Sequence, residues 1–351
     1  MYSDIPSFEE ESRNALTDVW FFVGLKSQIS NNGDYFKVRI YSNEMIIRNG
    51  DGIISAFNNR CTHRGAPIFF DPQGNSNLKC PFHGWSFDNE GHISAIPFRN
   101  YFDLELNECL NLTQYKVELI GQFIFVNYSP SPKALTSQFD MNIINVLEDI
   151  SDHLDSYKSS TSFKAECNWK LLYEITIDPL HVPFVHNNTL NKLRPFKPSK
   201  IIVKKDNNSY IDIKELSGIS ETPREPVNLY PWRNHVKRWR DIDVYIDIVI
   251  FPNLHLVTAD GGFSFSYESF FPINYHSTLI NYVFTTALRK SNYSYFPVIH
   301  LESMRQGLNV YLEDIFIAEE LQKTSLNYNK KINQGIYENN IYRFRDYFKI
   351  K

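Results

Sequence analysis

Cys61-Thr-His-Arg-Gly65 and Cys80-Pro-Phe-His-Gly-Trp85 decide how this chain is read. Each stretch carries one cysteine and one histidine, and sixteen residues separate His63 from Cys80. A [2Fe–2S] cluster with one iron held by two Cys and the other by two His needs this ligand set. Exchanging two thiolates for neutral imidazoles removes negative charge, which eases reduction and puts the potential at about −150 to +300 mV. Structural zinc also accepts two Cys and two His, but zinc loops more often pair like with like, and here each loop holds one of each. Gly65, Pro67 and Gly84 suit tight turns around a compact site. Cys109 and Cys167 have no histidine at ligand spacing and read as ordinary core thiols.

Working outward, the text around these loops is short, β-rich and punctuated by turns. Strands are expected at Trp20–Gly24, Tyr35–Tyr41, Met45–Arg48, Ile53–Phe57 and Gln122–Asn127. Asn49-Gly-Asp-Gly52 is a hairpin signal, because these residues tolerate positive φ. Ser129-Pro-Ser-Pro132 marks the best domain boundary. Beyond it the period changes. Helices are expected over 139–157, 168–178, 298–325 and 337–347. Strands are expected at 201–203, 210–213, 244–250, 255–257 and 279–286. An all-β module followed by a larger α+β domain follows.

The stretch Asn168–His186 holds Glu174, Asp178, His181 and His186. On a continuous helix, residues five apart point about 140° apart, so the two histidines could not share a metal. Pro183 disfavours helical geometry at Val182 and is expected to stop the helix near His181, so that His186 folds back from the following turn. Two imidazoles and a carboxylate make the open-faced triad of non-haem Fe(II) sites, which leaves positions for O2 and substrate. Taken alone, two histidines at a helix end are more often satisfied core or surface residues.

Together the motifs resemble a known family. Cys61-Thr-His-Arg-Gly65 and Cys80-Pro-Phe-His-Gly-Trp85 look like the cluster loops of Rieske proteins, with Arg64-Gly65 and Gly84-Trp85 typical of Rieske oxygenases. Asp178-x2-His-x4-His186, opened by Asn168-Trp-Lys170, resembles their catalytic iron motif. Asp178-Pro-x-His-x-Pro-Phe-x-His186 is most similar to the homomeric monooxygenase and demethylase branch.

The resemblance implies an α+β chain. A Rieske [2Fe–2S] domain would span 16–130, with Cys61, His63, Cys80 and His83 as ligands. A catalytic domain over 131–351 would carry an antiparallel sheet and helices of the helix-grip type, and residues 1–15 would be loose or pack on it. The third iron ligand would come from a C-terminal helix. Val310–Gln322 matches that stretch and nominates Asp314, with adjacent Glu313 as competitor and a solvated acidic face as the bland alternative. Asp178 would bridge His83 of one subunit to His181 of the next, since a carboxylate between two metal-bound imidazoles fixes and couples both rings. Glu174, one turn earlier, would stand beside the ligands.

By the same resemblance the chain is a terminal oxygenase that hydroxylates or demethylates a small organic substrate with O2. No G-x-G-x-x-G fingerprint is present, so NAD(P)H electrons would arrive through a separate reductase or ferredoxin. A head-to-tail homotrimer would bring cluster and iron together. An arene cis-dihydroxylating α subunit and a Rieske electron carrier without oxygenase activity are the alternatives. Net charge is −4, so no basic field argues for nucleic acid. No apolar run reaches the ~20 residues of a membrane helix. The polar, acidic N-terminus lacks a secretory pattern, and four cysteines make no disulfide framework, so a cytoplasmic setting is the default. Arg194 or Arg233 could serve a substrate carboxylate but read as surface charges.

Overall fold

The computed structural model describes all residues except 1, 3–4, 103–109, 191–210, 224–229, 326–334, 336–337 and 351. Cys109, Arg194 and the strand expected at 201–203 lie outside the described residues. The chain forms two compact units, Thr17–Leu135 and Met1–Leu16 with Thr136–Lys351.

The first unit is built on β1 (Phe21–Leu25), β2 (Asp34–Ile40), β3 (Asn43–Gly50), β4 (Ile53–Asn58), β5 (Gln73–Asn75), β8 (Gln114–Ile120) and β9 (Phe123–Asn127). They form an antiparallel sheet in the order β1-β9-β8-β4-β3-β2-β5. Short β6 (Ser86–Phe87) and β7 (Ile93–Ala95) pair separately. At the β3–β4 hairpin, Asp51 and Gly52 take φ of 53° and 90°. Two positive φ values match the right-handed twist of the strands they join. The loops that carry Cys61–His63 and Cys80–His83 lie after β4 and before β6. Cys61, Cys80, Trp85, Ile68 and Leu78 belong to the core beneath them.

The second unit carries an antiparallel sheet of β10 (Leu154–Ala165), β11 (Gly218–Pro223), β12 (Val244–Ile250), β13 (Leu254–Thr258), β14 (Ser264–Asn274) and β15 (Ser277–Ala287), in the order β10-β15-β14-β13-β12-β11. Its helices are α1 (Ile5–Glu10), α2 (Met141–Ser151), α3 (Trp169–Thr176), α4 (Val182–Val185), α5 (Phe296–Ser325) and α6 (Asn339–Ile350). The helix expected to reach 157 ends at Ser151, and Leu154 opens β10. β10 reads as polar because it is an edge strand with one side in solvent. Ile213, expected in a strand, starts a 3-10 turn, because the Asp212 carboxylate accepts from Lys214 N at 3.1 Å.

The N-terminal segment is tied to this unit through Glu11 and Ala15. Glu11 accepts from Trp169 Nε1 at 2.8 Å and pairs with the buried Lys170, and Tyr347 donates to Ala15 O at 3.0 Å. No helix among the described residues is long and apolar enough to cross a membrane.

Candidate metal centres

The two cluster loops repeat one backbone pattern. Gly65 N donates to Cys61 O and Cys61 N to Ala66 O, at 2.9 and 2.8 Å. Gly84 N donates to Cys80 O and Cys80 N to Trp85 O, at the same distances. Each turn closes on a glycine of positive φ, 75° at Gly65 and 74° at Gly84, where a side chain would be strained. Cys61 and Cys80 are buried and form no disulfide. The His63 and His83 rings stand edge-on at 4.6 Å, and His63 stacks on Trp85 at 4.8 Å.

His63 Nδ1 and His83 Nδ1 are buried without a hydrogen-bond partner. Such atoms are costly unless something else satisfies them, and a metal does so. Burial and the neighbouring Cys80 push the Cys61 thiol up to about 11, so its thiolate form needs positive charge against it.

In the second unit, α3 stops at Thr176, well before His181. Pro179 restricts Asp178, and the Asp178 carboxylate accepts from Leu180 N at 2.7 Å in a local turn. Pro183 does not stop this helix; it lies in the first turn of α4, where its missing N–H costs nothing. His181 stands at the N-terminal end of α4 with helical dihedrals, His186 at its C-terminal end departs from them with ψ of 27°, and their Nε2 atoms meet 3.1 Å apart.

α5 brings Asp314 to the same point. Its Oδ1 lies 3.0 Å from His186 Nε2 and 3.4 Å from His181 Nε2. Donors bound at about 2.1 Å and right angles to one metal stand about 3.0 Å apart, so the triangle fits a facial three-ligand site. Burial would raise the Asp314 carboxyl, but the two imidazoles hold it below the ordinary range.

The adjacent acid does something else. Glu313 Oε2 lies 2.9 Å from His186 Nδ1 and accepts from Thr189 Oγ1 at 2.5 Å. His186 is thus held from both ring nitrogens, a role for Glu313 that spacing did not reveal. Burial opposes charge on His186, while Asp314 and Glu313 raise its pKa. His181 is oriented by Asp178, through the main-chain oxygen: Asp178 O is 2.6 Å from His181 Nδ1. Burial lifts the Asp178 carboxyl above its usual range.

Glu174, expected beside the ligands, points elsewhere. It accepts from Nε and Nη2 of Arg345, at 2.7 and 2.6 Å, and from the Tyr2 hydroxyl, so it locks α3 to α6 and the N-terminus. Arg233, read as a surface charge, is buried against Asp260 at 3.1 Å.

An all-β module with a Cys2His2 cluster site, joined to a helix-covered sheet with a two-His, one-carboxylate site, defines a two-centre iron protein of the Rieske oxygenase class. The chain belongs to this family. Residues 19–116 match the Rieske [2Fe-2S] domain, and residues 152–348 match the ring hydroxylating alpha subunit (catalytic domain). These domains imply a Rieske cluster and a mononuclear iron.

Among similar proteins, the anthranilate 1,2-dioxygenase large subunit of Burkholderia cepacia is 30% identical over 199 residues, covering 53% of this chain and 46% of that protein. The glycine betaine monooxygenase oxygenase subunit of Chromohalobacter salexigens is 29% identical over 203 residues, covering 55% and 43%. The chain thus spans less than half the length of these curated relatives. The fold is shared with the quaternary ammonium Rieske monooxygenase CntA in complex with L-carnitine, at TM-score 0.72 and 17% identity over 99% of this chain and 92% of that one. It is shared equally with naphthalene 1,2-dioxygenase from Rhodococcus sp., at TM-score 0.72 and 18% identity over 97% and 90%.

Proposed function

We propose that this chain is the terminal oxygenase of a multicomponent system, which monooxygenates a small organic substrate by hydroxylation or oxidative demethylation. One observation carries the reading: two imidazole Nε2 atoms and one carboxylate oxygen converge at 3.0–3.4 Å. An electron carrier has no use for that open triad. His181, His186 and Asp314 would hold iron, and Cys61, His63, Cys80 and His83 the cluster. When bound, the cluster supplies single electrons and the iron supplies O2 activation beside the substrate.

The chain's own groups do the rest. Asp178 O and Glu313 fix the imidazole orientations, which holds both Nε2 atoms on one face. Electrons from NAD(P)H would come through a separate reductase or ferredoxin in the cytoplasm. The chain would assemble as a head-to-tail homotrimer, with the Asp178 carboxylate meeting His83 of the partner subunit. The similarity to a glycine betaine monooxygenase supports monooxygenation, and that to an anthranilate 1,2-dioxygenase supports the dihydroxylating alternative.

The test is reconstitution with a surrogate reductase, scored by iron content and product mass. About three irons per chain and a product gaining one oxygen, or losing a methyl group, are expected. A cis-diol product would replace this reading with arene dihydroxylation. About two irons and no turnover would leave an electron carrier.

A further inference from the structure

The sheet of the second unit presents one face to α5, and strand register says which residues lie on it. Thr161 pairs with Tyr282, Tyr282 with Glu268, Glu268 with His255, and His255 with Val249. Directly opposed residues share a face, as do alternate residues of one strand. Phe163, Phe270 and Asp247 therefore join this row. Tyr311 of α5 packs onto it, stacking with Phe270 at 6.3 Å and Tyr282 at 6.5 Å and meeting Phe163 edge-on at 6.4 Å. Tyr311 stands one helical turn before Asp314, so this aromatic group adjoins the iron triad.

An apolar-substrate pocket would carry no acids here. Yet His255 Nε2 lies 3.1 Å from Asp247 Oδ1, and His255 Nδ1 lies 2.8 Å from Glu268 Oε2. Burial opposes charge on His255, but the two carboxylates hold its pKa well above the ordinary histidine value. Two acids face one histidine here, so acids outnumber basic groups on this row, which carries no Lys or Arg among the described residues. Glu268 and Tyr311 are both 5% exposed. Glu268 Oε2 and the Tyr311 hydroxyl make no well-aligned hydrogen bond among the described residues.

We propose that this row is the substrate-recognition end of the site and takes a small molecule bearing a cationic nitrogen, an ammonium or N-methylated ammonium group. Carboxylate charge and several aromatic faces together favour a cation over a neutral molecule of the same shape. An anionic substrate would meet repulsion from Glu268 and Asp247. The proposal rests on the reading of His181, His186 and Asp314 as the iron site.

Calorimetric titration of the iron-loaded full chain tests it with three probes: choline, its uncharged carbon isostere dimethylbutanol, and benzoate. Choline is expected to bind about tenfold tighter than the isostere, and benzoate weakest. Glu268→Gln should bring the choline-to-isostere ratio close to one. Tyr311→Phe, which deletes one hydroxyl and keeps the ring, should preserve most of the ratio. The wild-type comparison needs no variant, so a misfolded Glu268→Gln leaves the test standing. Equal affinities, tighter benzoate, or no choline binding would overturn the proposal. Mononuclear iron measured on the same samples separates the two readings. Choline preference without that iron would sink the oxygenase reading, and iron without choline preference would sink this one.

Discussion

In the cluster unit, each Cys/His pair is held by hydrogen bonds that close within six residues of chain, from Gly65 back to Cys61 and from Gly84 back to Cys80. In the iron unit, the acids that meet His186 lie about 127 residues away and arrive only when α5 packs on its sheet. The first centre is a pair of turns. The second is a product of the whole unit, and disturbing that unit anywhere should reach it. Long loop closure is also the costlier way to assemble a site, so the iron centre depends more heavily on global stability.

The widest test of this contrast is ligand removal. His83→Ala should abolish the Rieske-type EPR signal and leave mononuclear iron. Asp314→Ala should lose the mononuclear iron and leave the EPR signal. If either variant loses both metals, the centres are not independently built, and the comparison fails. Glu313→Ala losing all mononuclear iron while Asp314→Ala keeps it would exchange the roles of the two acids.

A smaller effect is expected far from both centres. Arg345→Ala leaves the Glu174 carboxylate buried without its bidentate partner. Breaking such a pair costs about 3 kcal/mol. The denaturation midpoint of the iron unit should fall, followed by near-UV circular dichroism, while the visible spectrum of the cluster should persist to its wild-type midpoint. Parallel loss of both signals would mean that the units unfold as one.

The mildest change sharpens the geometry. Glu313→Gln keeps the shape but withdraws the charge facing His186 Nδ1. Iron affinity should weaken about 10–100-fold, as it does when a group orienting a metal-bound histidine is lost. Competition with a chelator measures it, with the cluster EPR signal as the unchanged control. An unaltered affinity would reduce Glu313 to a surface acid that happens to lie close.

Much of the first unit was legible because its signals are local. Asn49–Gly52 announces a hairpin by its tolerance of positive φ, and Gly65 and Gly84 close turns on the ligand pairs within a few residues. The α3–α4 break was legible in kind but credited to the wrong proline. Pro179 follows the end of α3, whereas Pro183 lies in the first turn of α4. Glu174 lies one turn from Asp178 in sequence, and periodicity put it beside the iron ligands. Its partner Arg345 comes from 171 residues away, which no local pattern reports.

The sequence by itself determined which residue types could bind iron, and how the cysteines and histidines are grouped, because ligand chemistry and turn geometry act over a few residues. Which of Glu313 and Asp314 faces both imidazoles is set by the tertiary structure alone. Adjacent helical residues point about 100° apart, so the packing of α5 against its sheet sets which acid meets both imidazoles. It brings Asp314 to the Nε2 atoms and leaves Glu313 to hold His186 from its other nitrogen.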